Sequence, residues 1–93
     1  MKIRYRARAI GDLEEIHSYL GPRSRIGVRN VLRAIHVAID EIASFPYATE
    51  KTSDPAIRVK ILGRYRYKIF YRVLDDDTIE IIHVRHAARR PWL

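Results

Sequence analysis

The stretch from Ala56 to His86, AIRVKILGRYRYKIFYRVLDDDTIEIIHVRH, limits the fold more than any other part of the chain. Apolar residues alternate with basic ones through most of it, the period of a half-buried strand. The alternation breaks at Leu62-Gly63-Arg64 and again at Asp75-Asp76-Asp77. Two turn signals between three alternating runs predict an antiparallel meander, with the aspartates at a hairpin tip. In the first run Ile57, Val59 and Ile61 alternate with Arg58, Lys60 and Leu62. In the second Tyr65, Tyr67, Ile69, Tyr71 and Val73 alternate with Arg66, Lys68, Phe70 and Arg72. In the third Ile79, Ile81 and His83 alternate with Glu80, Ile82 and Val84. The third run is apolar on both faces, which places it inside the sheet. With matched registers the tyrosines pack under a covering layer, and Arg58, Lys60, Arg66, Lys68 and Arg72 share the open face.

The rest of the chain reads as that covering layer. Residues 2 to 8 alternate, with Ile3, Tyr5 and Ala7 on one side and Lys2, Arg4, Arg6 and Arg8 on the other, a short cationic strand. The period then becomes helical: Ile10, Leu13, Ile16, His17 and Leu20 form one stripe. Asp12, Glu14 and Glu15 fall in the first turns, where the helix dipole favours anions. Gly21-Pro22 ends the helix. A longer helix starts between Arg23 and Ile26, with an apolar stripe of Val28, Val31, Leu32, Ile35, Ala38, Ile39 and Ile42. Arg25, Arg29, Arg33 and His36 form a separate polar stripe, and Phe45-Pro46 stops it. Tyr47 to Pro55 is read as a loop. The fold class is α+β: an N-terminal strand, an antiparallel helical hairpin, then a three-stranded antiparallel meander, with the helices on one sheet face. All of residues 1–93 form a single domain.

Composition narrows the function classes. The 93 residues hold 18 Lys and Arg against 11 Asp and Glu, a formal charge of +7, which suits a polyanion or an acidic protein as partner. There is no cysteine, so disulfides and thiolate metal sites are excluded. No run approaches the roughly 20 apolar residues of a membrane span, and Met1-Lys2-Ile3-Arg4-Tyr5-Arg6 is too charged for a signal peptide. A soluble cytoplasmic chain without cofactor is expected. No metal site is expected either: His83 and His86, three apart in a strand, point to opposite faces. His17 reads as a partly buried histidine of the helix stripe rather than a ligand.

The ordered elements and their residues resemble the RelE/ParE superfamily, the toxins of type II toxin–antitoxin pairs, and its ParE branch most closely. Ala9, Asp12-Leu13 and Ile16 carry the likeness in the first helix, and Phe45-Pro46 carries it at the end of the second. Arg58-Val59-Lys60, Tyr67-Lys68-Ile69-Phe70-Tyr71-Arg72-Val73 and Ile81-Ile82-His83-Val84-Arg85-His86 follow, closed by Arg89-Arg90-Pro91. One departure is Tyr47-Ala48-Thr49, where the pattern has a glycine soon after the proline. The resemblance implies a plasmid-stabilization or growth-inhibition toxin held inactive by an antitoxin whose acidic C-terminal segment wraps it. ParE-type members poison DNA gyrase; RelE-type members cleave messenger RNA in the ribosome.

RNA cleavage through the 2′-hydroxyl needs a base, an acid and cations around the phosphate. Residue by residue, the likeness to the RelE branch gives Arg58 and Lys60 for two strand lysines and Lys68 for an arginine. A second arginine position falls at Ala87, and the tyrosine of the RelE C-terminal helix has no counterpart before Leu93. His86 is the substitute acid or base, with His83 second. The ribonuclease set is therefore Arg58, Lys60, Lys68 and His86, and its proton-transfer half is thin. That favours gyrase inhibition, with Arg85, His86, Arg89, Arg90 and Trp92 as the target-facing group. Arg25, Arg29, Arg33, Arg58, Lys60 and Lys68 are the expected antitoxin contacts. A reading of another class is a basic nucleic-acid-binding module without toxicity, its strand cations and tyrosines serving phosphate contact and base stacking.

Overall fold

In the computed structural model, residues 1–75 and 77–87 are described; Arg89, Arg90 and Trp92 of the expected target-facing group lie outside them. The elements in order are β1 (Lys2–Tyr5), α1 (Ala7–Leu20), α2 (Arg25–Ser44), β2 (Glu50–Lys51), β3 (Arg58–Ile61), β4 (Tyr67–Asp75) and β5 (Thr78–His86). The meander is present, but it is the middle of a five-stranded mixed sheet of order β1-β5-β4-β3-β2. β1 joins it in parallel, from Lys2↔Thr78 to Tyr5↔Ile81. β2 forms inside the expected loop as a two-residue antiparallel edge on β3. β5 thus has a strand on either side, as its two apolar faces require.

Both helices cover one face. Their stripes and the sheet make one core, in which Ile35, Ile42, Ile69, Tyr71, Ile79, Ile81 and Val84 are the largest fully buried side chains. α2 keeps the expected stripe, and Ser24 caps it by accepting the Gly27 N–H at 2.9 Å. Pro22, with no N–H to continue the ladder, ends α1.

α1 differs from expectation in two ways. It begins at Ala7, so the strand stops at Tyr5 and Arg8 is helical. Its buried line is Ala9, Asp12 and Ile16, with Leu13 and Leu20 half-buried, whereas Ile10 and His17 are exposed. Asp12 is therefore a buried carboxylate in the second turn, not a first-turn charge on the dipole.

The strand registers also correct the reading of the faces. Leu62 and Tyr67 close a four-residue turn through the Leu62 N–H and the Tyr67 carbonyl, 2.9 Å apart. Within it Tyr65 and Arg66 take left-handed backbone angles, φ 69° and 60°. This turn pairs Arg58 with Tyr71, Val59 with Phe70, and Lys60 with Ile69. Residues directly opposite share a face. Arg58 and Lys60 thus lie on the helix side with Ile69 and Tyr71, while Lys68 and Arg72 lie on the other; the five cations do not share the open face. In β5, Tyr71 faces Ile81 and Phe70 faces His83, leaving Ile82 as a bulge residue. The bulge turns Val84 into the core beside Ile79 and Ile81 and sends His83 to the face of Phe70.

Candidate functional site

The open face is built in rows across β5 and β4. Glu80 stands opposite Arg72 and in register with Arg4 of β1. His83 stands opposite Phe70, their rings stacked at 5.8 Å between centroids and 15° between planes. Arg85 stands opposite Lys68. Cationic rows therefore flank an aromatic one.

Glu80 organises the first row. Its side chain is only 7% exposed, and its Oε1 accepts from Arg6 Nε at 3.0 Å and Arg72 Nε at 2.8 Å. Burial pushes the carboxyl toward its neutral form. The Arg72 hydrogen bond and the charges of Arg6 and Arg72 outweigh it and hold Glu80 below the usual carboxylate range. A depressed folded pKa means the unfolded chain takes up the proton first. Glu80 thus stabilises the fold fully above the unfolded glutamate value, about 4.3, and that contribution is lost as pH falls through the lower folded value. Thermal melts from about pH 6 down to about pH 3 should show the native chain losing melting temperature more steeply than Glu80→Gln below about pH 4.3.

A second constellation joins α1 to β5. Asp12 Oδ2 accepts the Val84 N–H at 2.9 Å and the His83 Nδ1–H at 2.7 Å. Both side chains are largely buried. Sequence periodicity alone does not bring this Asp–His pair together. The signal was present in the spacing of Ala9, Asp12 and Ile16: a carboxylate on the buried line of a helix requires donors across the interface.

The ribonuclease set is not brought together. Arg58 reaches away from the open face, donating to the carbonyls of Tyr47 at 2.9 Å and Thr49 at 2.6 Å. Lys60 lies 3.8 Å from Glu41 of α2. His86 stands opposite Tyr67 on the helix side, ring edge to face at 4.9 Å. Lys68 is across the sheet from all three. His83 and His86 do take opposite faces, and among the described residues no group of three His, Cys, Asp or Glu could hold a metal ion.

Arg25, Arg29 and Arg33 are exposed along α2. Arg33 borders a groove of about 540 Å³ between α2 and the β3–β4 turn, whose apolar floor includes Val37, Ile61, Leu62 and Tyr65. Val37 and Ile61 are half exposed there, at 51% and 46%. Among the described residues, no helix is long and apolar enough to cross a membrane.

This architecture is shared with toxins of known structure. The chain superposes on the chromosomal ParDE system of P. aeruginosa with a TM-score of 0.66 at 20% identity, covering 92% of this chain and 95% of that one. It superposes on the isolated E. coli RelE toxin with a TM-score of 0.65 at 16% identity, covering 96% and 86%. In sequence it is 30% identical over 89 residues to "Putative toxin Y4kP" of Sinorhizobium fredii, spanning 96% of this chain and 91% of that one. The fold and its relatives define a toxin of the ParE/RelE type from type II toxin–antitoxin systems. A family model described as the ParE toxin of the type II toxin–antitoxin system parDE matches residues 3–91, and the chain belongs to that family.

Proposed function

We propose that this toxin acts by binding and inhibiting DNA gyrase and that a cognate antitoxin neutralises it. The observation that carries this reading is the division of the ribonuclease set between two sheet faces. RNA cleavage needs its base, acid and phosphate-holding cations within hydrogen-bond reach of one phosphodiester. Here Lys68 is separated by the sheet from Arg58, Lys60 and His86. Arg58 is, moreover, committed to the loop after α2. A binding mechanism has no such demand. Membership of the ParE family supports the same direction.

The antitoxin segment suited to this surface is an acidic amphipathic one. Its apolar anchors would enter the groove beside α2, and its carboxylates would meet Arg33 at the rim and Arg25 and Arg29 along the helix. The purified chain, freed of its antitoxin, should abolish gyrase supercoiling while messenger RNA in a translating extract stays intact by primer extension. Codon-positioned cuts with normal supercoiling would overturn the reading in favour of ribosome-dependent RNA cleavage.

A further inference from the structure

We propose that Arg6 and Arg72, aligned by Glu80 and joined by Arg4, form a clamp for the sugar–phosphate backbone of a nucleic acid. None of Arg4, Arg6, Arg72 and Glu80 belongs to the gyrase, ribosome or antitoxin sets, although Lys68 and Arg85 of the same face do, and the clamp does not depend on the gyrase reading.

The argument starts from how the two guanidiniums are held. Each uses its Nε on the same buried carboxylate oxygen, and among the described residues the terminal nitrogens of both make no hydrogen bond. The two side chains remain about 40% exposed, at 42% and 39%, over a carboxylate that is not. One buried negative charge thus fixes two positive forks at the surface. Arg4, in register with Glu80 and exposed, adds a third cation to the row. A planar fork fixed in place loses less freedom on meeting a phosphate than a swinging one does.

The same face says which anion suits it. Lys68 and Arg85 repeat the cationic row four residues further along β4, about 14 Å away at roughly 3.4 Å per residue. The stacked Phe70 and His83 rings lie between the two rows. Spaced cations with aromatic rings between them are how proteins follow a nucleic-acid strand, phosphate by phosphate. An acidic protein segment would gain from the cations but has no use for the ring row.

The test is fluorescence anisotropy of a labelled single-stranded oligonucleotide and of its duplex, with the full chain, from about 50 to 200 mM salt. Glu80→Gln is the decisive variant because charge and geometry predict opposite signs. It makes the protein one unit more positive, so unstructured attraction would tighten binding. The clamp predicts roughly tenfold weaker binding, because the forks lose their shared anchor. Arg72→Lys keeps the charge and loses the fork, so it should weaken binding too, and it decides the matter if Glu80→Gln melts at the assay temperature. Arg6→Gln and Arg72→Gln should each lower the slope of log K against log salt by about 0.7 to 0.9. Lys51→Gln, an equal charge loss on β2 at the far sheet edge, should leave the slope nearly unchanged. Unchanged or tighter binding by both Glu80→Gln and Arg72→Lys would overturn the clamp. So would an equal loss from Lys51→Gln, or displacement of the oligonucleotide by polyglutamate at lower concentration than by unlabelled oligonucleotide.

Discussion

Asp12→Ala should destabilise the chain by about 3 kcal/mol in equilibrium urea unfolding, with the Val84 amide losing its protection from hydrogen exchange. β1 pairs only with Thr78–Ile81, because the chain leaves the sheet at Tyr5 to enter α1. Among the described residues, the flank of β5 beyond Ile81 has no strand neighbour on that side, and the bulge at Ile82 has already disturbed its other ladder. Asp12 fills the gap from α1, taking the Val84 N–H and holding His83. Alanine removes one acceptor and strands two donors in a largely buried place. That costs more than the net worth of two ordinary hydrogen bonds. Asp12→Asn separates the roles: its amide oxygen can still accept from Val84, so it should lose about half as much. A change below about 0.5 kcal/mol for alanine would mean that water replaces the carboxylate and that Asp12 does not hold α1 to β5.

The other large effect is expected at Tyr71. Its ring is fully buried, and its hydroxyl donates to the Pro46 carbonyl at 2.5 Å and is bonded to Thr49 Oγ1. Arg58 grips the same segment through the carbonyls of Tyr47 and Thr49. One tyrosine thus serves both the core and the loop that carries the chain from α2 to β2. Tyr71→Ala should cost about 4 kcal/mol, the range for emptying a large aromatic site. Tyr71→Phe keeps the packing and deletes the tether, at about 1.5 kcal/mol. The phenylalanine variant should also open the loop: limited proteolysis between Pro46 and Thr52 should speed up while the global unfolding transition moves less than half as far as it does in Tyr71→Ala. Equal losses from the two variants would mean that the hydroxyl carries the whole effect and the ring packs for nothing.

These two residues mark where the sequence is a good guide and where it stops. Tyr71 was legible, since alternation alone put Tyr67, Ile69 and Tyr71 on the covered face, and all three are buried. The helices and the meander were legible for the same reason, because periodicity records which side of each element meets the core. What periodicity does not record is how one strand is phased against the next. The turn at Gly63–Arg66 has an even number of residues, and with Tyr65 and Arg66 left-handed it brings Lys60 opposite Ile69 rather than Lys68. A change of one residue moved Arg58 and Lys60 to the helix side and dissolved the expected cationic set. The bulge at Ile82 did the same to His83. In the sequence Asp12 reads as a residue of the family pattern and as a charge on the helix dipole, because a single sequence does not show where α1 begins to within one turn. Glu80 passed as an ordinary polar position of a strand; its meaning comes from β1, whose parallel pairing with β5 has no local signature. Arg89, Arg90 and Trp92 lie outside the described residues.

That parallel pairing also sets an order of events in the cell. Lys2 leaves the ribosome well before its partner Thr78, which follows only after both helices and three further strands have been made. At about 5–20 residues per second the interval is on the order of ten seconds. During it β1 has no neighbour, and the helical hairpin has no β5 to rest on. Such long-range closure makes folding slow compared with a helical bundle of the same length. The sheet face that carries Glu80 between Arg6 and Arg72 is assembled from strands far apart in the sequence, so it comes into being only once β5 has emerged. The nascent toxin is therefore without its finished surface for the whole interval between β1 and β5, a delay written into the strand order.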